Sequence, residues 1–349
     1  MNKNINKKDE YKNNGEMINP KELKFSKDIT KDSYSDYVLD NTFCVFNSFY
    51  NDIIYLIYST KNRSIISYDL IDNKKINEIK KAHNLLITNF RYYFDKINEK
   101  ELILSISADD NNLKLWDFSN FDCILNIKNV NNNGKLYSAC FLFNNKENYI
   151  ITSQYRKYLG NISELIKVFD FKGNKIKEIN NSDDRTCFID TYYDIKLSKN
   201  YIITGNYNYI KSYDFIKNNI YHIYCDDDKQ NHYSTSIINK NALIQLKESS
   251  EDGNIRLWDF HLGILIKKIK IGNDFLCGIC FWSNEYLFVG CEDKTIELID
   301  LNKGIIVKNL IRHHNNVITI KKIEHPIYGD CLISQGYAND QIKLWVYKK

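Results

Sequence analysis

Cys277 and Cys280 stand three residues apart, the spacing of a pair that can hold a metal or cycle between dithiol and disulfide. They sit inside Phe275-Leu276-Cys277-Gly278-Ile279-Cys280-Phe281, an apolar run that reads as a β-strand. On a strand, residues three apart point to opposite faces. The two thiols therefore read as buried packing, as do Cys44, Cys140 and Cys187 in similar runs. His313-His314, with Glu324 and His325 downstream, has the composition of a metal site, but adjacent residues of an extended chain also diverge. Asp226-Asp227-Asp228 and Glu251-Asp252 fall in polar loops and read as solvated turns. Nucleophilic catalysis needs a base beside the nucleophile and a third group to orient it. No such constellation stands out, and there is no Gly-rich phosphate loop. The chain is read as not an enzyme, with no catalytic, cofactor-binding or metal-ligating residue and no cofactor.

The elements that carry these residues repeat. An alternating apolar run, an aromatic, Asp and a large apolar residue recur at 65–70, 113–118, 166–171, 210–215, 255–260, 296–301 and 342–347. The clearest copies are Leu113-Lys114-Leu115-Trp116-Asp117 and Ile255-Arg256-Leu257-Trp258-Asp259. The first six copies place Asp at 69, 117, 170, 214, 259 and 300, and Val346 stands there in the seventh. Before each copy lies a short apolar run and a polar turn, and another run follows most of them. Strand, turn, strand is the signature of an antiparallel meander.

This pattern resembles the WD40 family, whose unit is about 40–45 residues with four strands per propeller blade. The resemblance covers roughly 39–347. It implies an all-β, seven-bladed propeller over 22–349, after a polar tail at 1–21 that reads as disordered. Packing seven sheets radially buries both faces of each. The seventh motif ends two residues before the C-terminus, so blade seven lacks its own outer strand. A segment before residue 39, 22–29 or 33–37, is expected to supply it and close the ring.

The resemblance also implies a buried network of His, Ser or Thr, Asp and Trp in each repeat. His83, Ser105, Asp109 and Trp116 are the best set. Asp252 with Trp258, and Trp345 beside His313 or His314, are partial sets. The other repeats have lost most of it. Residues 154–164 are an unusually long connection between the second and third strands of blade three. Tyr and Arg dominate binding hot spots, and loops on rigid scaffolds carry binding residues. Tyr155, Arg156 and Tyr158 are thus the candidate partner contact, extended on that face by Arg185, His83 and Arg312.

Composition narrows the partners. A net charge of +4 does not argue for strong independent binding to nucleic acid. No run approaches the roughly 18 apolar residues of a membrane span, and the first residues have no apolar signal core. The nine cysteines are odd in number and scattered, so they read as reduced thiols. The expectation is an intracellular protein, cytoplasmic or nuclear and not secreted, monomeric outside its complex, with proteins or peptides as partners and no membrane insertion. Its role is read as a non-enzymatic scaffold or adaptor. The alternatives are the substrate-receptor adaptor of a ubiquitin ligase and a component of an RNA-associated assembly complex. The Trp-Asp-x-Arg ending that such receptors often carry is missing at Trp116-Asp117-Phe118-Ser119 and Trp258-Asp259-Phe260-His261.

Overall fold

A computed structural model describes residues 19–347, apart from 36–40, 129, 131–134, 145–146, 156, 159–160, 163, 182–185, 187, 207–208, 227–231, 241–242 and 273–274. Seven antiparallel four-stranded sheets form a β-propeller. Strands are lettered a (at the channel) to d (outermost). Blade 1 comprises Phe43–Asn47, Ile54–Ser59, Ile65–Asp69 and Lys74–Ile79. Blade 2 comprises Asn89–Asp95, Lys100–Ser107, Asn112–Asp117 and Asp122–Ile127. Blade 3 has Lys135–Asn144, Glu147–Tyr155, Glu164–Asp170 and Lys175–Asn181. Blade 4 has Phe188–Asp194, Lys199–Gly205, Ile210–Asp214 and Asn219–Tyr224. Blade 5 has His232–Lys240, Leu243–Ser250, Asn254–Asp259 and Leu265–Lys270. Blade 6 has Leu276–Phe281, Tyr286–Cys291, Thr295–Asp300 and Ile305–Ile311. Blade 7 takes Val317–His325, Gly329–Gly336 and Lys343–Tyr347 from the end of the chain, and Leu23–Asp28 from its beginning.

Among the described residues the buried apolar side chains fall into seven clusters, and each cluster joins two consecutive blades. The b and c strands are buried on both faces because each face meets a neighbouring blade, which is why b strands such as Leu102-Ile103-Leu104 read as continuous apolar runs. One cluster mixes Phe43, Leu56 and Ile66 of blade 1 with Ile333, Leu344 and Val346 of blade 7, so packing closes the ring. Thr42 adds a polar clasp there: its hydroxyl donates to Gln335 Oε1 at 2.6 Å, and its backbone N–H donates to Thr319 Oγ1 at 3.2 Å.

The motif aspartates end the c strands, and their side chains build the c–d turns. Oδ1 accepts two backbone N–H bonds from the turn in Asp69 (Ile71, Asp72), Asp214 (Ile216, Lys217), Asp259 (His261, Leu262) and Asp300 (Asn302, Lys303), all at 2.8–3.1 Å. Asp117 and Asp170 do the same for Ser119 and for Lys172 with Asn174. Asp95 and Asp194 repeat the device in the a–b turns of blades 2 and 4. A carboxylate that accepts its own following N–H groups fixes a tight turn without help from the rest of the fold.

The N-terminal strand closes the last blade. Leu23–Asp28 pairs antiparallel with Lys343–Tyr347, with one irregularity between Phe25 and Lys27. Leu23 is fully buried, and the Phe25 ring meets Trp345 edge-on at 5.7 Å. Just before it, Asn19 caps a short turn of 3-10 helix, Pro20–Glu22. Residues 1–18 of the polar tail lie outside the described residues.

The long connection of blade 3 is not a plain loop. Its a and b strands extend to pair Lys135 with Tyr155, and beyond them Lys157–Tyr158 pairs with Asn161–Ile162 as a two-stranded ribbon. Tyr and Ile are strand formers, so the insertion prolongs the hairpin instead of leaving it.

Candidate functional site

In a four-stranded meander the a–b and c–d turns lie at one end and the b–c and d–a connections at the other. A propeller therefore presents two loop faces. The buried polar networks stand under the b–c and d–a face. In blade 7 the network is complete. Trp345 donates Nε1–H to Ser334 Oγ at 2.7 Å, His313 Nε2 lies 2.7 Å from the same oxygen, and His313 Nδ1 lies 2.9 Å from Asp340 Oδ2. One tautomer satisfies all of them: Nδ1–H donates to the carboxylate and Nε2 accepts from the serine. Asp340 Oδ2 also accepts the backbone N–H of His314 and Asn315. Burial alone would raise the Asp340 carboxyl, but the His313 hydrogen bond and charge, the His314 N–H and Lys343 hold it down at about 2. Burial keeps the His313 imidazole below its ordinary value, against the pull of Asp340. The pair is thus a neutral imidazole on an ionised carboxylate. Gly336 is required beside it, since a Cβ there would stand 2.3 Å from Asp340 Oδ2. Ser334 and Asp340 are the members that the sequence reading did not supply.

Blade 2 carries the second network, with one correction. Ser105 Oγ accepts Trp116 Nε1–H at 2.8 Å and lies 2.8 Å from His83 Nε2. The carboxylate is that of Asp110, not Asp109. Asp110 Oδ2 accepts the N–H of Asn84 and Leu85 and stands 3.8 Å from His83 Nδ1. Asp109 turns outward to an ion pair with Lys135 at 2.8 Å. The reason is the turn itself: Asn111 adopts φ 57°, and Asp110 Oδ1 closes the turn on the N–H of Asn112. Asp252 and Asp293 hold the matching position, each accepting the N–H two residues on. Counting back six residues from Trp116 finds Asp110, as it finds Asp252 from Trp258.

Blade 5 replaces the histidine network by a buried ion cluster. Arg256, fully buried, donates Nη2–H to Asp252 Oδ2 at 2.6 Å, Nε–H to Asp226 Oδ2 at 2.7 Å and Nη1–H to Ser250 Oγ at 2.6 Å. Lys268 adds a bond to Asp226. Against burial, the hydrogen bonds from Arg256, Ser250 and Asn254 and the Arg256 charge hold the Asp252 carboxyl well below the usual carboxylate range. Asp226 and Asp252 are therefore structural anchors, not solvated turn residues. The residue two before the strand-c tryptophan is Lys114, Arg256 or Lys343, and in each blade it is used to tie the face.

The candidate contact residues on this face scatter. Tyr155 and Tyr158 lie on the blade 3 extension, in Glu147–Tyr155 and Lys157–Tyr158. Arg156 and Arg185 lie outside the described residues. His83 is buried and cannot meet a partner, because Ser105 and the turn above it enclose its ring. Arg312 is exposed, with its guanidinium 4.9 Å from the Phe25 ring centroid, over the closing strand.

Cys277 and Cys280 are both buried and unbridged. Cys280 packs between blades 6 and 7 beside Trp282 and Phe288. The glycine between them has its own reason: a Cβ on Gly278 would stand 2.6 Å from Ile318 O in strand a of blade 7. His314 is exposed while His313 is buried, so the adjacent pair diverges. Among the described residues no group of three or more His, Cys, Asp or Glu is placed to hold a metal ion.

The other face differs. Its turns raise Phe49 and Tyr50 in blade 1, Ile97 in blade 2, Ile195 and Leu197 in blade 4, Leu262 in blade 5 and Ile327 in blade 7. Phe49 is 68% exposed, yet its backbone is pinned: its N–H donates to the buried carboxylate of Glu101 at 2.7 Å, and its ring stacks on Phe94 at 4.2 Å. Ile97, Ile195, Leu197 and Leu262 carry a signal in the sequence, an apolar residue one to three positions after a capping Asp.

No family profile matches the chain. A segment of 83 residues, 24% of the chain, is 30% identical to the U3 small nucleolar RNA-associated protein 21 homolog of Schizosaccharomyces pombe. The match takes in 9% of that protein's length. Among the described residues no helix is long and apolar enough to cross a membrane.

Proposed function

We propose that this protein is a non-catalytic scaffold of the WD40 type, which holds partner proteins or peptides on the turn faces of a rigid ring. The observation that carries it is the contrast between core and turns. The blades lock together through seven apolar interfaces, while apolar side chains stand exposed on turns whose backbones are fixed by Asp95, Asp194, Asp214, Asp259 and Glu101. Preformed turns lose little entropy on binding, and exposed apolar groups supply the driving force.

A second reading specifies the setting. The similarity to a protein named for association with a small nucleolar RNA favours membership of an RNA-associated assembly, inside the nucleus. The net charge of +4 assigns RNA contact to other members of such an assembly. A ubiquitin-ligase receptor role has no matching observation here.

The test is affinity capture of the tagged full chain from lysate of its own cells, followed by mass spectrometry with and without ribonuclease. Recovery of a reproducible protein set supports the scaffold. Loss of that set on ribonuclease treatment supports the RNA-associated setting. A Tyr155→Ala, Arg156→Ala, Tyr158→Ala variant, run alongside, tests the blade 3 extension as the contact. Recovery of no reproducible partner would sink the scaffold reading.

A further inference from the structure

This inference rests on the scaffold reading and specifies one partner's chemistry. Three turns on the a–b and c–d face are joined. Lys199 Nζ, at the end of the blade 4 a–b turn, lies 3.8 Å from Asp214 Oδ2 at the start of the blade 4 c–d turn. His261, in the blade 5 c–d turn, brings Nε2 to 2.8 Å from Asp194 Oδ2 in the first turn, and Tyr221 OH lies 3.0 Å from its Nδ1. These linked turns expose Ile195 (80%), Leu262 (64%), Ile216 (62%) and Leu197 (49%). A single exposed aliphatic residue is ordinary, but four on three joined, capped turns form a patch that water solvates poorly.

The exposed charges on these three turns have one sign, and exposed Glu147 on the neighbouring blade 3 turn is bonded to the Tyr149 hydroxyl. The carboxylates of Asp194, Asp214 and Asp259 are buried and bind the turn N–H groups. Lys196 and Lys217 are exposed beside Ile195, Leu197 and Ile216, and neither side chain has an ion pair among the described residues. The aromatic cluster at Phe49 and Tyr50 is different, since exposed Asp52 and Glu99 stand near it with Lys96.

We propose that the turns 194–199, 214–219 and 259–264 form a docking patch for an acidic peptide segment bearing apolar side chains. Its Leu, Ile or aromatic groups cover Ile195, Leu197, Ile216 and Leu262, and its carboxylates pair with Lys196 and Lys217. A membrane fits less well: each lysine near an anionic surface contributes only about 1 kcal/mol, and stable anchoring needs a stronger second signal than two lysines give.

The test begins with selection of random 12-residue peptides displayed on phage against the immobilised full chain. Selected peptides are resynthesised with fluorescein and titrated by anisotropy. Two variants are measured beside the wild type, Ile195→Asp with Leu262→Asp and Lys196→Glu with Lys217→Glu, after their melting curves match it. The expected result is enrichment of Asp and Glu together with Leu, Ile or Phe. Affinity should fall about tenfold or more in each variant, and should weaken as salt rises. Peptides without acidic enrichment, peptides that bind both variants as well as the wild type, or no selected peptide at all would each overturn the proposal. So would capture of phosphatidylserine vesicles in place of peptides with the same loss in both variants. If the cellular partners persist with both variants, the patch fails and the scaffold reading stands. If the wild type has no partner, the scaffold reading fails by its own test.

Discussion

Lys343, in strand c of the last blade, donates a hydrogen bond at 2.8 Å to the carboxylate of Asp28, 315 residues earlier in the chain. The lysine is almost wholly buried, with this carboxylate and Asp340, 3.4 Å away, as the opposite charges beside its ammonium. The same lysine thus touches the closing strand and the network beneath the loop face. Ring closure and the blade 7 network are coupled at one side chain.

Closure leads to the first prediction. Leu23 is fully buried among Phe288, Leu298 and Trp345. Leu23→Ala should lower stability by about 2–5 kcal/mol, as for other buried leucines. Removing residues 1–28 should cost more and leave the strand Lys343–Tyr347 as an open edge. Thermal melts and size-exclusion chromatography would check both; a truncated chain that stays monomeric at the wild-type melting temperature would contradict the role given to this strand.

Ser334 is the hub of the blade 7 network. Ser334→Ala leaves Trp345 Nε1 and His313 Nε2 without their shared partner. Each orphaned buried group costs about 1–3 kcal/mol. In blade 2, Asp110→Ala should destabilise because it frees the N–H groups of Asn84 and Leu85, whereas Asp109→Ala should change stability by less than about 0.5 kcal/mol. Urea titrations of the two aspartate variants decide which residue belongs to the network.

Acid should weaken the fold in two stages. Burial lowers the folded-state pKa of His83 and His313 below 6.5, so the unfolded chain takes up protons first. The stability these neutral rings contribute is complete above pH 6.5 and declines as pH falls below it, by at most about 1.4 kcal/mol per pH unit for each ring. Asp340 moves from 3.8 down to about 2, so its contribution holds above pH 3.8 and is lost between that value and about 2. Melting temperatures across pH 8 to 3 should be flat at first and then fall below 6.5. A His313→Gln variant should show a shallower first decline.

Gly290 marks a point where blades 6 and 7 meet backbone to backbone. A Cβ there would stand 2.3 Å from Val317 O of blade 7. Gly290→Ala should therefore cost about 1–3 kcal/mol or more, since backbone must shift to admit it. An unchanged denaturation midpoint would show that the two blades separate more easily than their packing implies.

The fold class was legible because the seven copies repeat at the period of a blade and each strand's patterning agrees with its place. The structure gives the copies their seven interfaces and places the N-terminal strand on blade 7. The network was legible only where Trp116 and Trp345 flag it. Asp110 was missed for Asp109 because a turn with one residue at positive φ redirects neighbouring side chains, and a residue string carries no φ. Asp340 was missed because it stands five residues before its tryptophan, while Asp110 and Asp252 stand six before theirs. Arg256 was read only as part of a strand motif, since nothing local shows that Asp226 and Asp252 converge on it.

Strands and turns follow from short stretches of residues: apolar alternation makes the strands, and each capping Asp makes its turn from the residues that follow. Which turns meet follows from the assembled ring. Asp194 of blade 4 reaches His261 of the adjacent blade 5, and Lys343 reaches Asp28 from the other end of the chain. Those contacts depend on how far each blade rotates against the next. That rotation is set by the summed packing of the interfaces, not by any short stretch of residues.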